Sequence, residues 1–310
     1  MESINKLTLL ILSFFLLSAV LVSGCVDTQE NDSLSGKMVV AVSIVPQAEF
    51  VEKIAGDLVS TVVMIPPGAS PATHEPTPGQ LRELSKADLY VKVGSGVGFE
   101  TAWMDDLVSV NPDMLIIDSS AGIELRSMVT HGHEEENAEG EYGHEDEQEG
   151  MDPHIWTSPQ KAKIMVMNIH AGLVQTDPEN EELYTMNRDA YIAELDQVDE
   201  KIRSALVGRE GSSFMVYHPS WGYFADEYGL EQIPVEIEGK EPSVQDLQRL
   251  IDTANEKKIK VIFVQSGFST SSARAIAAEI GGEVVEVDPL TKDYIDNLSK
   301  VSEAFEKGLA

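Results

Sequence analysis

The sequence predicts an α/β protein of two lobes, each with a mainly parallel four-stranded sheet flanked by helices, joined by one long rigid helix. Two observations support this prediction. Short β-branched runs alternate with helical segments in both halves of the chain, a pattern that favours parallel strands covered by helices. Between the halves lies one amphipathic segment that is much longer than the others.

The first lobe is expected to span residues 38–176. Its strand-like runs are MVVAVSIV, TVVMI, DLYVKV and MLIID. The segment after the first run, PQAEFVEKIAG, begins with proline and ends on glycine, which is typical of a helix with well-defined ends. The second lobe, residues 209–310, repeats the alternation with the strand-like runs SFMVYH, QIPVEI, KVIFVQ and EVVEVD.

Residues 177–208 are expected to form the linking helix. The segment opens with Asp177 and Pro178 and closes with Gly208, as helices commonly do. Its large apolar residues recur at spacings of three, four or seven, which places them on one helical face: Tyr184, Tyr191, Leu195, Val198, Ile202 and Leu206. A helix of this length would measure about 45 Å, so it would run past one lobe and lead into the other.

The N-terminus predicts export. Residues 1–24 hold an apolar run from Leu7 to Val22 that is short for a bilayer span and typical of a secretory signal peptide. Cys25 follows Val-Ser-Gly and is the single cysteine of the chain, which matches a lipoprotein processing site. We therefore expect an extracytoplasmic protein anchored to the cell membrane by lipid on Cys25, with a polar tether over residues 25–37. A plain membrane anchor is the alternative.

Composition narrows the class of partner. The net charge of −31 argues against nucleic acid, because phosphate would be repelled. A metal ion or another cationic ligand is more compatible with that field. A single cysteine also excludes an internal disulfide and a cysteine-rich metal cluster.

Four residues are candidate metal ligands because each lies near the end of a strand-like run or just before a helix: His74, His154, His218 and Asp288. In open α/β sheets, ligands collect at the carboxyl ends of strands. Imidazole and carboxylate suit zinc, and four such ligands can close a tetrahedral site. Taken singly, each could equally be a hydrogen-bonded loop or turn residue. His170 lies mid-helix and is expected to be a packing or surface residue.

Four stretches carry a family resemblance, in this order and around the long helix: PPGASPATHEPTPGQL, MDPHIWTSPQKAKIM, YHPSWGYFADEYGL and VDPL. They resemble the zinc and manganese solute-binding lipoproteins of ABC transporters, over nearly the whole chain from Met38. The resemblance implies two α/β lobes linked by a rigid helix, with one divalent ion in the cleft. It also implies a monomer without enzymatic activity and an ABC permease as partner. It assigns His154, His218 and Asp288 to metal-ligand positions.

The first stretch departs from the family pattern. The family usually places a ligand histidine directly after the proline, whereas here Ala72 follows Pro71 and His74 stands where an aromatic residue is usual. A shift of two residues can keep a side chain on the same side of an extended segment. His74 is therefore the expected ligand, with Glu75 or water as the alternatives.

Residues 131–150 form a histidine- and acid-rich stretch without helical or strand periodicity. Zinc-binding members of the family resemble it in carrying such an insertion at this position. We expect a flexible loop that binds metal loosely through His131, His133 and His144 and serves the tight site without forming it. An acidic, solubilising loop is the alternative.

The sequence thus predicts high-affinity capture of extracytoplasmic Zn²⁺ and its delivery to a membrane permease. The first alternative is the same scaffold carrying Mn²⁺ or Fe²⁺, but those ions favour more oxygen ligands, and His218 supplies nitrogen. A secreted zinc hydrolase is a weaker alternative, because the chain lacks HExxH or a comparable helix-borne ligand pair beside a base. The last alternative is an adhesive lipoprotein that binds metal only incidentally.

Overall fold

Two parallel sheets organise the protein. The structure is a computed structural model that describes residues 36–128, 150–237, 239–266 and 269–309. The first sheet consists of β1 (Met38–Val42), β2 (Val59–Val63), β3 (Leu89–Lys92) and β4 (Leu115–Asp118). The second consists of β5 (Ser213–Val216), β6 (Glu231–Pro234), β7 (Val261–Val264) and β8 (Glu283–Glu286). Every strand pairing in these sheets is parallel.

Helices flank both sheets. In the described residues they are α1 (Val45–Ala55), α2 (Pro78–Leu84), α3 (Gly98–Val110), α4 (Pro159–Thr176), α5 (Glu181–Ala205), α6 (Gly222–Tyr228), α7 (Val244–Glu256), α8 (Ser271–Ile280) and α9 (Tyr294–Gly308). Both sheets and all these helices belong to one compact unit, Lys37–Ala310. The fold class predicted from the sequence, two four-stranded parallel α/β lobes and a long helix, is confirmed.

The two sheets share one topology. Their strand orders are β2-β1-β3-β4 and β6-β5-β7-β8. The direction of the strand order therefore reverses between β1 and β3 in the first sheet and between β5 and β7 in the second. The crevice outside the carboxyl ends at such a reversal is where open α/β sheets bind ligands. At the reversal of the second sheet, β5 leads to His218 and β7 leads to Gln265. The Ser220 hydroxyl donates a hydrogen bond to Gln265 at 2.8 Å and joins the two strand ends.

The helix α5 connects the two sheets. Its 25 residues span about 37 Å. The first turn of the segment, Pro178–Asn180, is a 3-10 helix. The Asp177 carboxylate accepts hydrogen bonds from the Tyr184 hydroxyl and the Asn180 side chain and does not cap a backbone N–H. The apolar face predicted from the spacing is confirmed as buried: Tyr184, Tyr191, Leu195, Val198, Ile202 and Leu206. The helix packs against α1, α4 and α9.

Hydrogen bonds between the two lobes also fix the segments that follow two of the predicted ligands, His154 and Asp288. The Trp156 indole N–H donates to the Pro289 carbonyl at 2.8 Å, and the Tyr294 hydroxyl donates to the Trp156 carbonyl at 2.6 Å. Both aromatic side chains are buried. The chain that follows His154 is therefore held against the chain that follows Asp288.

The predicted signal peptide, Cys25 and all but the last two residues of the tether lie outside the described residues, and so does the stretch 131–149. In the part of the chain that is described, no helix has both the length and the apolar character needed to cross a bilayer.

Candidate metal centre

Two imidazole rings meet in the cleft between the sheets. The Nε2 atoms of His154 and His218 lie 3.3 Å apart. The ring centroids are 5.1 Å apart and the ring planes cross at 77°. His218 lies two residues after β5, and His154 immediately precedes the short 3-10 helix Ile155–Thr157 that leads to α4. The fold thus brings together two of the four residues that the sequence singled out.

A buried carboxylate orients His154. Its Nδ1 lies 2.8 Å from Oδ1 of Asp152, and its backbone N–H donates to the same oxygen at 3.0 Å. An ionised carboxylate only accepts hydrogen bonds, so the network assigns the ring proton to Nδ1. Nε2 therefore presents its lone pair towards His218, as an outer carboxylate commonly arranges for a metal-binding histidine.

In the second lobe, a carboxylate orients His218 in the same way. Its Nδ1 lies 2.7 Å from Oε1 of Glu236, whose side chain is 6% exposed. Glu236 follows β6, which pairs with β5. The same reasoning assigns the proton of His218 to Nδ1. Two acceptor nitrogens then face each other, and a cation between them would relieve their mutual repulsion.

Burial sets the protonation states around His154. Burial lowers the pKa of His154 below its ordinary value, although the Asp152 carboxylate opposes that shift. Burial alone would raise the pKa of Asp152, but the hydrogen bonds from His154 and the charge of Arg126 hold that pKa below its usual range. A neutral imidazole beside an ionised carboxylate is the state that metal binding requires.

A cavity opens beside the imidazole pair. It has a volume of about 340 Å³, and its wall includes His154, His218, Glu236 and the segment Ser70–Thr73. Asp288 lines a smaller neighbouring cavity of about 40 Å³. The two cavities share four lining residues: Ser70, Pro71, Gln265 and Leu290.

Asp288 and His74 take up other contacts in this structure. The Asp288 carboxylate accepts a hydrogen bond from the Leu290 N–H at 2.8 Å. The His74 ring stacks on Phe99, with centroids 5.9 Å apart, and its Nε2 is buried with no hydrogen-bond partner among the described residues. Glu75, the alternative to His74, is exposed.

Within the described residues, no three His, Cys, Asp or Glu side chains are arranged to hold one metal ion together. The arrangement is a pair of imidazoles with a carboxylate behind each ring. His170 lies elsewhere, on α4, where its Nε2 is 3.0 Å from the Thr185 hydroxyl. The predicted loop ligands His131, His133 and His144 lie outside the described residues.

Comparison with known proteins identifies the family. A family model described as ZnuA, zinc-uptake complex component A periplasmic, matches residues 40–308. The chain belongs to this family. The resemblance predicted from the sequence is thereby confirmed, and the family is one of solute-binding transport proteins rather than enzymes.

Relatives match over most of this chain. The high-affinity zinc uptake system protein ZnuA of Bacillus subtilis (strain 168) is 32% identical over 301 residues, covering 94% of this chain and 89% of the relative. The zinc-binding lipoprotein AdcA of Streptococcus pneumoniae (strain ATCC BAA-255 / R6) is 27% identical over 288 residues, covering 92% of this chain. This chain spans 55% of the length of that AdcA.

A crystal structure of ZnuA has the same fold. It superimposes with a TM-score of 0.79 at 40% sequence identity, covering 88% of this chain and 100% of the other. The two-lobe architecture is therefore shared with a solved member of the family.

Sequence reasoning missed the two carboxylates behind the rings. Asp152 lies two residues before His154 in MDPHIW, a spacing at which an acid can bend back to the ring. Glu236 follows a strand that neighbours β5, so the strand-end argument that selected His218 applies to it equally. Both signals were present in the sequence.

Proposed function

We propose that this chain captures extracytoplasmic Zn²⁺ with high affinity and delivers it to an ABC permease in the membrane. The observation that carries the proposal is the 3.3 Å separation between the Nε2 atoms of His154 and His218. Two nitrogen ligands of a tetrahedral zinc ion, each about 2.0–2.1 Å from the metal, lie about 3.3–3.4 Å apart. The two rings already have the spacing of two ligands on one zinc ion.

Ligand chemistry favours zinc over Mn²⁺ or Fe²⁺. Imidazole nitrogen suits zinc, whereas Mn²⁺ is better served by carboxylate, carbonyl and water oxygens. Asp152 and Glu236 face the Nδ1 atoms and so orient the two rings with their Nε2 atoms towards each other. The names of relatives support the same ion, since one is a high-affinity zinc uptake protein and another is a zinc-binding lipoprotein. A ZnuA deletion mutant has also been solved with zinc bound.

His74 and Asp288 are the proposed remaining ligands. The buried Nε2 of His74 has no partner among the described residues, so it can bind a metal ion without losing a hydrogen bond. Asp288 lines a cavity that adjoins the one beside the imidazole pair. Glu75 or water is the alternative at the position of His74.

The remaining roles follow from transport and not from catalysis. The protein needs affinity, release and docking, so no catalytic residue is proposed. We propose that it acts as a monomer, tethered by lipid on Cys25, and that His131, His133 and His144 bind additional metal weakly. The acidic chain, with a net charge of −31, suits a cationic cargo.

Zinc titration calorimetry with a competing chelator tests the proposal. The full chain should bind one zinc tightly. His154→Ala and His218→Ala should each weaken that site by more than the roughly 10- to 100-fold that loss of an outer partner of a ligand costs. His170→Ala is the control, because it also removes a histidine, but one whose ring contacts Thr185 on α5 and not the imidazole pair. Equal affinities in all four proteins would exclude the imidazole pair as the site.

The membrane anchor has a separate test. Cys25→Ser should leave the protein unprocessed or release it from the membrane fraction, because no thiol remains to carry lipid. Mature protein that still partitions with membranes unchanged would contradict lipid anchoring.

A further inference from the structure

Arg126 contacts the carboxylate that orients His154. Its Nη1 donates to Oδ2 of Asp152 at 3.1 Å, while Oδ1 of the same carboxylate faces Nδ1 of His154. The Asp152 side chain is 1% exposed and the Arg126 side chain 20% exposed. A single buried carboxylate thus lies between a guanidinium and a candidate ligand ring. With both oxygens engaged, Asp152 has one orientation in which all these contacts are kept.

Arg126 and Asp152 belong to the two chain segments that flank residues 129–149. Ser127 and Met151 form an antiparallel bridge, and the Asp152 N–H donates to the Arg126 carbonyl at 2.8 Å. The Met128 N–H donates to the Gly150 carbonyl at 2.6 Å. These bonds form a short two-stranded stem. Side-chain and backbone contacts therefore join the same two residues.

The stem is also tied to α6, which belongs to the second lobe. The Tyr223 hydroxyl accepts a hydrogen bond from the Arg126 N–H and donates one to the Asp152 carbonyl, both at 3.1 Å. Nε of Arg126 lies 2.8 Å from Oδ2 of Asp226, an ion pair whose N–H is not aligned for a hydrogen bond. Arg126 therefore contacts carboxylates from both lobes.

Gly222 makes room for this arrangement. A Cβ atom added there would lie 1.6 Å from Nη1 of Arg126 and 2.3 Å from Oδ2 of Asp152. Its backbone φ is not positive, so conformational freedom does not explain the glycine. The first residue of α6 must lack a side chain because the Arg126–Asp152 pair occupies that space.

We propose that Arg126 is a positioning residue for the metal site: it locks Asp152, and through Asp152 the ring of His154, while bracing both against α6. The inference rests on the proposed zinc function but concerns a residue that never touches the ion. Movement of α6 relative to the first lobe would strain the Arg126–Asp226 contact. The orientation of His154 is thereby linked to the arrangement of the lobes.

The decisive measurement on the metal-free full chain is the tautomer of His154, read from long-range ¹H–¹⁵N NMR correlations. In the wild type the ring proton should reside on Nδ1. In Arg126→Gln both tautomers should be populated, because Asp152 can then rotate away. Lys201→Gln is the control, since it removes one positive charge from an exposed ion pair with Glu303. An unchanged tautomer in Arg126→Gln would overturn the proposal.

Zinc affinity supplies the second measurement. Arg126→Gln should weaken the tight site about tenfold, and Arg126→Lys should recover part of that loss, because an ammonium can meet one carboxylate but not both. Gly222→Ala should weaken zinc binding in the wild type and cost less in the Arg126→Gln background, since its Cβ atom would meet both Arg126 and Asp152 and only the first of these clashes is relieved. Fully additive losses would mean that Gly222 and Arg126 act independently, against the proposal.

The two proposals can fail separately. If the wild type binds no zinc tightly, the proposed function fails, while the tautomer of the metal-free protein still decides the role of Arg126. If zinc binds tightly but Arg126→Gln matches Lys201→Gln in tautomer and affinity, only the positioning role fails.

Discussion

The Nε2 atoms of His154 and His218 face each other across the cleft at 3.3 Å, each ring with a carboxylate at its Nδ1. The two rings belong to different lobes, so neither lobe alone forms the pair. Binding of an ion between them would therefore be linked to the arrangement of the lobes. Any ion held between the two rings favours the arrangement in which both reach it.

His218→Glu should shift metal preference from zinc towards manganese, because a hard oxygen replaces a borderline nitrogen donor. Competition titration with Zn²⁺ and Mn²⁺ measures the ratio of the two affinities, which matters more than either affinity alone. His170→Glu controls for the added charge, since His170 contacts Thr185 away from the pair. A ratio that does not move would remove His218 from the ligand set.

Deleting residues 131–149 should leave the tight zinc site intact, because this polar stretch offers no apolar face to the core. The weaker, additional zinc sites should disappear, since three histidines in a stretch without helical or strand periodicity lose conformational entropy when they bind. In the intact protein those weak sites should also be lost as the pH falls below about 6.5, where free imidazole becomes protonated. Titration calorimetry of both proteins separates the two classes of site.

Two outcomes of this deletion would contradict the expected role of residues 131–149. Loss of tight binding on deletion would mean that the stretch supplies a ligand to the main site. An unchanged stoichiometry would favour a solubilising acidic loop over a metal-collecting one.

Much of the fold was predictable because strand and helix signals are local. The β-branched runs and the period of the linking helix come directly from side-chain alternation, and the strand-end argument selected His218, whose ring lies beside that of His154. The linking helix spans Glu181–Ala205, later and shorter than the predicted 177–208, and the Asp177 carboxylate accepts hydrogen bonds from Tyr184 and Asn180.

The rest of the site depends on tertiary contacts. Arg126 has no motif around it, and its role appears only when the stem at residues 126–128 and 150–152 packs on Gly222. His74 was selected by its place in a motif, but stacking on Phe99 determines where its ring lies in this structure. Spacing along the chain cannot reveal contacts between residues so far apart in sequence.

Gly172→Ala should destabilise the fold, because a Cβ atom there would lie 2.5 Å from Cγ1 of Ile117 on β4. Overpacking of this kind costs about 1–3 kcal/mol. Gly79→Ala is the matched control, since its Cβ would meet the nearest atom at 3.7 Å and alanine favours the helix by up to about 1 kcal/mol. Urea unfolding should therefore move the two midpoints in opposite directions, and equal midpoints would contradict the close packing of α4 on β4.

His170 should make the protein less stable in mild acid. Burial and the nearby charge of Arg188 lower its pKa in the folded state, whereas an unfolded histidine titrates near 6.5. As pH falls through about 6.5, the unfolded chain takes up this proton first, so the free energy of unfolding decreases. Between neutral and mildly acidic pH, the free energy of unfolding of His170→Gln should decline less than that of the wild type. Parallel curves for the two proteins would show that His170 does not contribute.

An anomalous difference map at the zinc absorption edge, from crystals of the zinc-loaded protein, tests most directly whether the imidazole pair binds zinc. We expect one strong peak between the rings, about 2.0–2.1 Å from each Nε2 of His154 and His218. The same peak should vanish in a map recorded below the edge. A principal zinc peak elsewhere, or one bound by only one of these two rings, would exclude the imidazole pair as the zinc site.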